Sequence, residues 1–173
     1  VERFHAQLLS VMKNAEALKV AGRYARLSPS IRESFNLPLM IRIATGTSWR
    51  HADTAQRQAL IGAFARMSIA VYAARFDGFS GESFKTLGEK PGPRKTILVK
   101  THLMRPGDSP VALGYLLKRR GDGWRIIDVL LDGGISELAV RYSEYRQILK
   151  QKGVNGLVST LHAKAGKLVG DVR

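Results

Sequence analysis

Thr96-Ile97-Leu98-Val99-Lys100-Thr101-His102-Leu103, Pro106-Gly107-Asp108-Ser109-Pro110, Val111-Ala112-Leu113-Gly114-Tyr115-Leu116-Leu117-Lys118: two alternating runs joined by turn-forming residues decide the architecture of this chain. Ile97, Val99, Thr101 and Leu103 fall on one face of an extended chain, and Val111, Leu113, Tyr115 and Leu117 fall on one face of the next. The same period brackets the pair, giving strands over about 82–90, 94–105, 111–120 and 124–131. Pro91-Gly92-Pro93 and Gly121-Asp122-Gly123 supply the other connectors. Connections this short join antiparallel neighbours, so the segment reads as a four-stranded antiparallel meander.

Outward from the strands the period lengthens to that of a helix. Upstream, Asp53 and Gln56 make a capping box for a helix over about 53–76, with Leu60, Phe64, Met67 and Val71 on one face. Ala63, Ala70 and Ala74 let other elements approach it, and Gln58, Arg66 and Arg75 belong on its wet side. A first helix carries Phe4, Leu8, Val11, Met12, Ala15 and Leu18, with Gly22 as its stop. Pro29 and Pro38 divide the stretch between Arg23 and Ala44 into short helices, with Ser28-Pro29 as a start. Downstream, Ile135, Leu138, Tyr142, Tyr145 and Leu149 step by three and four. Gly153 breaks that helix, and Leu157, Leu161, Ala165 and Leu168 continue it. Helices over 1–76, strands over 82–131 and helices over 135–168 make one α+β domain spanning 1–173, with a curved antiparallel sheet packed against the long helix.

Composition narrows the function. With 28 Lys+Arg against 14 Asp+Glu the net charge is +14, which favours encounters with anions such as nucleic acid, anionic lipid or acidic protein. The basic residues are dispersed, and the tightest run is Lys118-Arg119-Arg120, which suits steering better than base reading. There is no cysteine, so disulfides, thiolate nucleophiles and Cys-type zinc sites are excluded. No stretch approaches the ~20 apolar residues of a membrane span.

Catalytic signatures are missing as well. His5, His51, His102 and His162 include no i,i+4 pair and no HExxH, so structural or surface roles are expected for each. No P-loop occurs, and no GxGxxG follows a strand. Gly78-Phe79-Ser80-Gly81 follows a helix and precedes a strand, the reverse of a nucleophile elbow. Asp128 stands inside an apolar strand, where it is either a general base or, on the favoured reading, an ion-pair partner or a helix cap. Trp49, Trp124 and the tyrosines lack an RNP or GXXG context, so a core role for most of them outweighs base stacking.

Several strings carry a specific likeness. Phe35-Asn36-Leu37-Pro38-Leu39-Met40 leads to Gly46-Thr47-Ser48-Trp49-Arg50, then Gln56-Arg57, Phe64 and Tyr72. Gly123-Trp124-Arg125-Ile126-Ile127-Asp128-Val129 runs on to Gly133-Gly134-Ile135-Ser136, Tyr142-Ser143-Glu144-Tyr145 and Gly153-Val154-Asn155-Gly156-Leu157. In this order they resemble the MlaC, or toluene-tolerance, family of periplasmic phospholipid-binding proteins, over about residues 1–168. Arg75-Phe76-Asp77-Gly78-Phe79-Ser80-Gly81 and Ile135-Ser136-Glu137-Leu138-Ala139 look more like the hopanoid-associated branch, called HpnM.

The resemblance implies an NTF2-like cone, a curved sheet packed by helices around an apolar cavity, and no enzymatic activity. It implies a periplasmic lipid carrier, its signal peptide removed, that takes the acyl chains of a phospholipid or a hopanoid-type lipid as cargo and needs no cofactor. Its partners would be an inner-membrane lipid transporter and an outer-membrane complex, with transient membrane-surface contact and no nucleic acid. The positive charge would then favour an anionic head group or an anionic docking surface. On this reading Phe64, Met67, Val71, Val99, Leu113, Tyr115, Leu138, Tyr142 and Tyr145 line the cavity wall. The competing readings are a basic nucleic-acid-binding module, an enzyme using Asp128 as base, and a structural subunit of an envelope complex that holds no lipid.

Overall fold

The computed structural model describes residues 1–132 and 134–170; Gly133 of the Gly133-Gly134 pair and residues 171–173 lie outside the described residues. Its centre is an antiparallel sheet of β1 (Ser83–Gly92), β2 (Thr96–Met104), β3 (Val111–Arg120), β4 (Gly123–Leu131) and a short β5 (Ile135–Ser136), in that spatial order. The meander is as expected, with β5 as an addition of two residues that the helical reading of Ile135 missed. Register places Val99 opposite Tyr115, and Tyr115 opposite Val129, so the apolar faces of the three central strands coincide. Bulges at Thr86/Gly88 and Leu116/Leu117 break the ladder, and such insertions bend and twist the strands that carry them.

Five helices precede the sheet: α1 (Glu2–Lys13), α2 (Ala15–Ser34), α3 (Leu37–Thr45), α4 (Thr47–His51) and α5 (Thr54–Arg75). One follows it, α6 (Glu137–Val169). The capping box at the start of α5 is formed in full: Asp53 Oδ1 accepts from the Gln56 N–H at 2.8 Å, and Gln56 Oε1 accepts from the Asp53 N–H at 3.1 Å. Leu60 and Phe64 of this helix are fully buried, Met67 and Val71 half-buried, and Ala63, Ala70 and Ala73 allow close packing around it. Arg66, expected on the wet side, is half-buried. α5 packs chiefly on α6 and α2, and the core formed there joins Phe4, Leu8, Leu27, Ile31, Ile41, Leu157 and Leu161.

Two expected helix boundaries move. Gly22 does not end the first helix, and Ser28-Pro29 does not start one. The chain breaks instead at Asn14 and at Lys19 (φ 50°, ψ −178°), and α2 continues through both Gly22 and Pro29. Burial explains this. Arg23, Leu27 and Ile31 form one buried face, and holding that face outweighs the ~1 kcal/mol cost of Gly and the hydrogen bond that Pro29 cannot donate. Pro38, in contrast, sits in the first turn of α3, where Asn36 Oδ1 accepts from the Leu39 N–H at 3.3 Å. α6 bends at Gly153 (φ 63°, ψ −169°), as the sequence foretold.

Asp128 is tied into this scaffold. Its Oδ1 accepts from the Leu138 N–H at 3.0 Å and the Val129 N–H at 2.8 Å, and its Oδ2 accepts from Ser136 Oγ at 2.6 Å. Ser136 Oγ in turn accepts from the Ala139 N–H at 2.9 Å. The acid is therefore a cap on the start of α6, anchoring that helix to β4.

Candidate functional site

Between the inner face of the sheet and the helices lies a cavity of about 590 Å³. Leu103, Leu113, Tyr115, Val129 and Leu131 line it from the sheet. Ile31, Phe35, Leu37 and Met40 close one side, Met12 another, and Ser68, Val71 and Tyr72 come from α5. Leu138 and Arg141 enter from the first turns of α6. Behind the wall, aromatic rings lock together: Phe4 meets Phe35 at 5.2 Å and Tyr72 at 5.4 Å, edge to face, and Tyr72 stacks on Phe76 at 5.7 Å. Burial pushes the Tyr72 and Tyr115 hydroxyls well above their ordinary pKa, so both stay neutral and the lining carries no tyrosinate.

The lip of the cavity is charged. Arg75, Arg105 and Arg141 stand there with Asp77, Glu82 and Glu137. Much of this charge is already matched. Glu137 receives Arg75 at 4.0 Å and Arg141 at 4.0 Å, and Arg105 meets Asp108 at 3.7 Å. Arg141 also donates to Tyr145 Oη at 3.4 Å, with its guanidinium 5.7 Å from the Phe64 ring centre. Glu82 accepts from the Ser80 N–H at 2.6 Å. In a chain of net charge +14 the lip is balanced, so the cation excess is not gathered at the opening of the cavity.

Of the residues expected in the wall, Val71, Leu113, Tyr115 and Leu138 line the cavity. Phe64, Met67, Val99, Tyr142 and Tyr145 do not. Phe64 and Tyr145 are fully buried in the solid part of the core, where Arg141 covers both. Met67 is a half-buried side chain packed against the core. Val99 lies farther along β2, towards the end away from the lip. Tyr142 is 43% exposed, and a Cβ at Gly46 would stand 3.0 Å from its ring. On α6 it is Arg141, three residues from Leu138, that reaches the cavity. The sequence reading missed the Phe35–Met40 wall and the Arg75–Phe76–Asp77 lip as site residues, although both strings belong to the family likeness.

His5 is buried, and its ring stacks on Phe84 at 4.1 Å. Burial draws its pKa down to about 4, so the ring is neutral and serves as packing. Among the described residues no three His, Asp or Glu side chains gather where they could hold a metal ion, and no helix is long and apolar enough to cross a membrane.

The fold is shared with a phospholipid-binding protein from Ralstonia solanacearum whose structure was solved in complex with a phospholipid. The two superpose with a TM-score of 0.83 over 96% of this chain and 95% of that one, at 19% identity, a likeness of fold. A family model, that of the MlaC protein, matches residues 2–163, and with the cavity, the sheet order and the motifs in agreement, this chain belongs to the MlaC family.

Proposed function

We propose that this protein is a periplasmic lipid carrier that holds hydrocarbon in the cavity and leaves the polar head at the charged lip, moving its cargo between an outer-membrane complex and an inner-membrane transporter. The observation that carries this reading is the apolar hollow of about 590 Å³ with a charged rim at one end. A methylene takes about the ~30 Å³ of a liquid water molecule, so the hollow has room for about 20 of them. At ~0.8 kcal/mol each, that shelters about 16 kcal/mol of hydrophobic free energy from water. Measured against a bilayer interior the same groups gain almost nothing, and this is what makes loading reversible.

A diacyl lipid brings about 30 methylenes, more than this volume holds. Loading both tails therefore spreads the wall, and Met12 and Met40, flexible thioether chains facing the hollow, are the side chains best able to give way. A phospholipid is the first choice of cargo, supported by the family. A hopanoid-type triterpenoid is the alternative, supported by the Arg75–Gly81 and Ile135–Ala139 strings. No cofactor enters this reading, and Asp128, fully engaged as a cap, is left no catalytic part.

Organic extraction of freshly purified protein followed by mass spectrometry tests the proposal. Recovery of a stoichiometric phospholipid or triterpenoid is expected. No amphiphile from any preparation, together with no uptake from vesicles, would overturn it.

A further inference from the structure

A part of the cation excess gathers at the end of the sheet opposite the lip. β2 runs from Thr96 to Met104, nine residues, which at ~3.3 Å each sets the two ends on the order of 30 Å apart. At the far end the two hairpin tips lie side by side, because register sets Thr96 opposite Lys118, Lys118 opposite Arg125, and Arg119 opposite Trp124. Lys90, Arg94, Lys95, Lys118, Arg119 and Arg120 are all exposed there, and Arg125 is half-exposed. None of them forms an ion pair among the described residues, and the nearby carboxylates in sequence are Glu89 and Asp122.

Two further features set this end apart. The Trp124 indole is 41% exposed in the middle of the cations. Arg94 and Lys95 both take left-handed backbone angles (φ 54° and 60°) at the tip of the β1–β2 hairpin. They belong to the three-residue connection 93–95 between Gly92 and its ladder partner Thr96; positive φ favours Gly or Asn, and this chain keeps two cations there against that preference. Beside Trp124 and Arg125 opens a groove between α1, α2 and β4, whose walls carry Arg26, Arg125 and the Arg3–Glu33 pair.

We propose that these basic hairpin tips dock on an anionic lipid surface, with Trp124 at the level of the head groups, while the cavity mouth stays free at the other end. Cations on a hairpin turn and on the neighbouring strand ends, beside an exposed tryptophan, match the interface of a bilayer, where indoles settle at the head groups and each Lys or Arg adds to the attraction. A single exposed aromatic makes no stacking platform for nucleic acid bases. The docking surface uses no residue that lines the cavity, so it stands or falls apart from the carrier reading.

Co-sedimentation with vesicles of phosphatidylcholine alone, and with vesicles in which a third is phosphatidylglycerol, tests this. The protein should bind the anionic vesicles only, less as salt rises, and the emission of Trp124 should shift to the blue on binding. Lys118→Gln/Arg119→Gln/Arg120→Gln should weaken the binding about a hundredfold, at roughly fivefold per cation. Arg94→Asn/Lys95→Gly should also weaken it while easing the turn, so that its loss of binding cannot be laid to misfolding. In both variants the extracted lipid content and the melting temperature should match the parent or better. Equal binding to the two kinds of vesicle, parent-like binding by both variants, or tighter binding to a duplex oligonucleotide at the same ionic strength would overturn the proposal.

Discussion

Val71→Trp probes the hollow directly. Val71 stands on α5, half-buried, with its side chain on the open volume. Tryptophan adds roughly 90 Å³ of side chain at ordinary packing density. That is the room of about three methylenes at ~30 Å³ each. Three methylenes left in water cost about 2.4 kcal/mol, which corresponds to about a sixty-fold loss of affinity for a chain that fills the site. The fold should hold, because the ring enters open space and escapes the ~1–3 kcal/mol of an overpacked core. Phe64→Trp on the same helix is the contrast. Phe64 has no exposed area and does not face the hollow, so the larger ring there should carry the overpacking cost. The assay is displacement of a fluorescent fatty acid by single-chain lipids of graded length, with melting curves alongside. Val71→Trp should shift the preferred length shorter by about three carbons. Unchanged affinity at every length, with a parent-like melt, would refute the assignment of the hollow as the hydrocarbon site.

Other outcomes follow from the scaffold. Asp128→Asn weakens the acceptors that hold Leu138 and Ser136, and should cost about 1–3 kcal/mol in urea unfolding while the folded fraction still takes up lipid. Gly153→Ala forces a side chain onto φ 63°, ψ −169°, where nothing crowds it but the backbone itself is unfavourable; a loss of about 1–3 kcal/mol is expected, and a neutral result would mean that α6 straightens. The buried, neutral His5 has a folded pKa of about 4 against 6.5 in the open chain. The unfolded state takes its proton first, so stability should fall as pH drops from 6.5 towards 4, by at most about 3 kcal/mol. His5→Phe, which keeps a ring beside Phe84, should flatten that part of the pH–stability curve.

The sheet was legible because its signals are local: the period of two, the Pro-Gly-Asp connectors and the bulky apolar faces all point the same way. The start of α5 was legible for the same reason, through Asp53 and Gln56. The breaks at Asn14 and Lys19 were not: lysine does not ordinarily stop a helix, and Asn14, which can, lies inside an apolar stripe that keeps its helical spacing from Phe4 to Leu18. What holds α2 together across Gly22 and Pro29 is the burial of Leu27 and Ile31 against partners far away in the sequence. The wall of the hollow was only half legible, and for a physical reason. Leu113 and Leu138 belong to it, whereas Phe64 and Tyr145 belong to the solid core, yet all four sit on apolar faces. A sequence shows which face avoids water; whether atoms stand opposite that face depends on how the sheet and helices diverge. The clue that separates the two is polar. Arg75, Glu137 and Arg141 stand next to apolar wall residues because one side of that wall is open, and a filled core would not tolerate them there.

That balanced lip bears on how a carrier can work at all. Read from the sequence, a net charge of +14 favours an anionic head group or an anionic docking surface. A lip of unmatched guanidinium groups would grip a phosphate, and each such bond would have to be broken at delivery. Here Arg75 and Arg141 share Glu137 at 4.0 Å each, and Asp77 and Glu82 stand at the same lip, so on the proposed reading a head group would meet an opening of little net charge. On that reading retention would rest chiefly on the hydrocarbon, which is held strongly against water and hardly at all against another apolar phase. The cations of the hairpin tips, about 30 Å away along the strands, would on the proposed docking draw the protein to a charged surface without adding to the grip on the cargo. If both proposals hold, attraction to a membrane and release of cargo are set by different residues, and mutation can change either without touching the other.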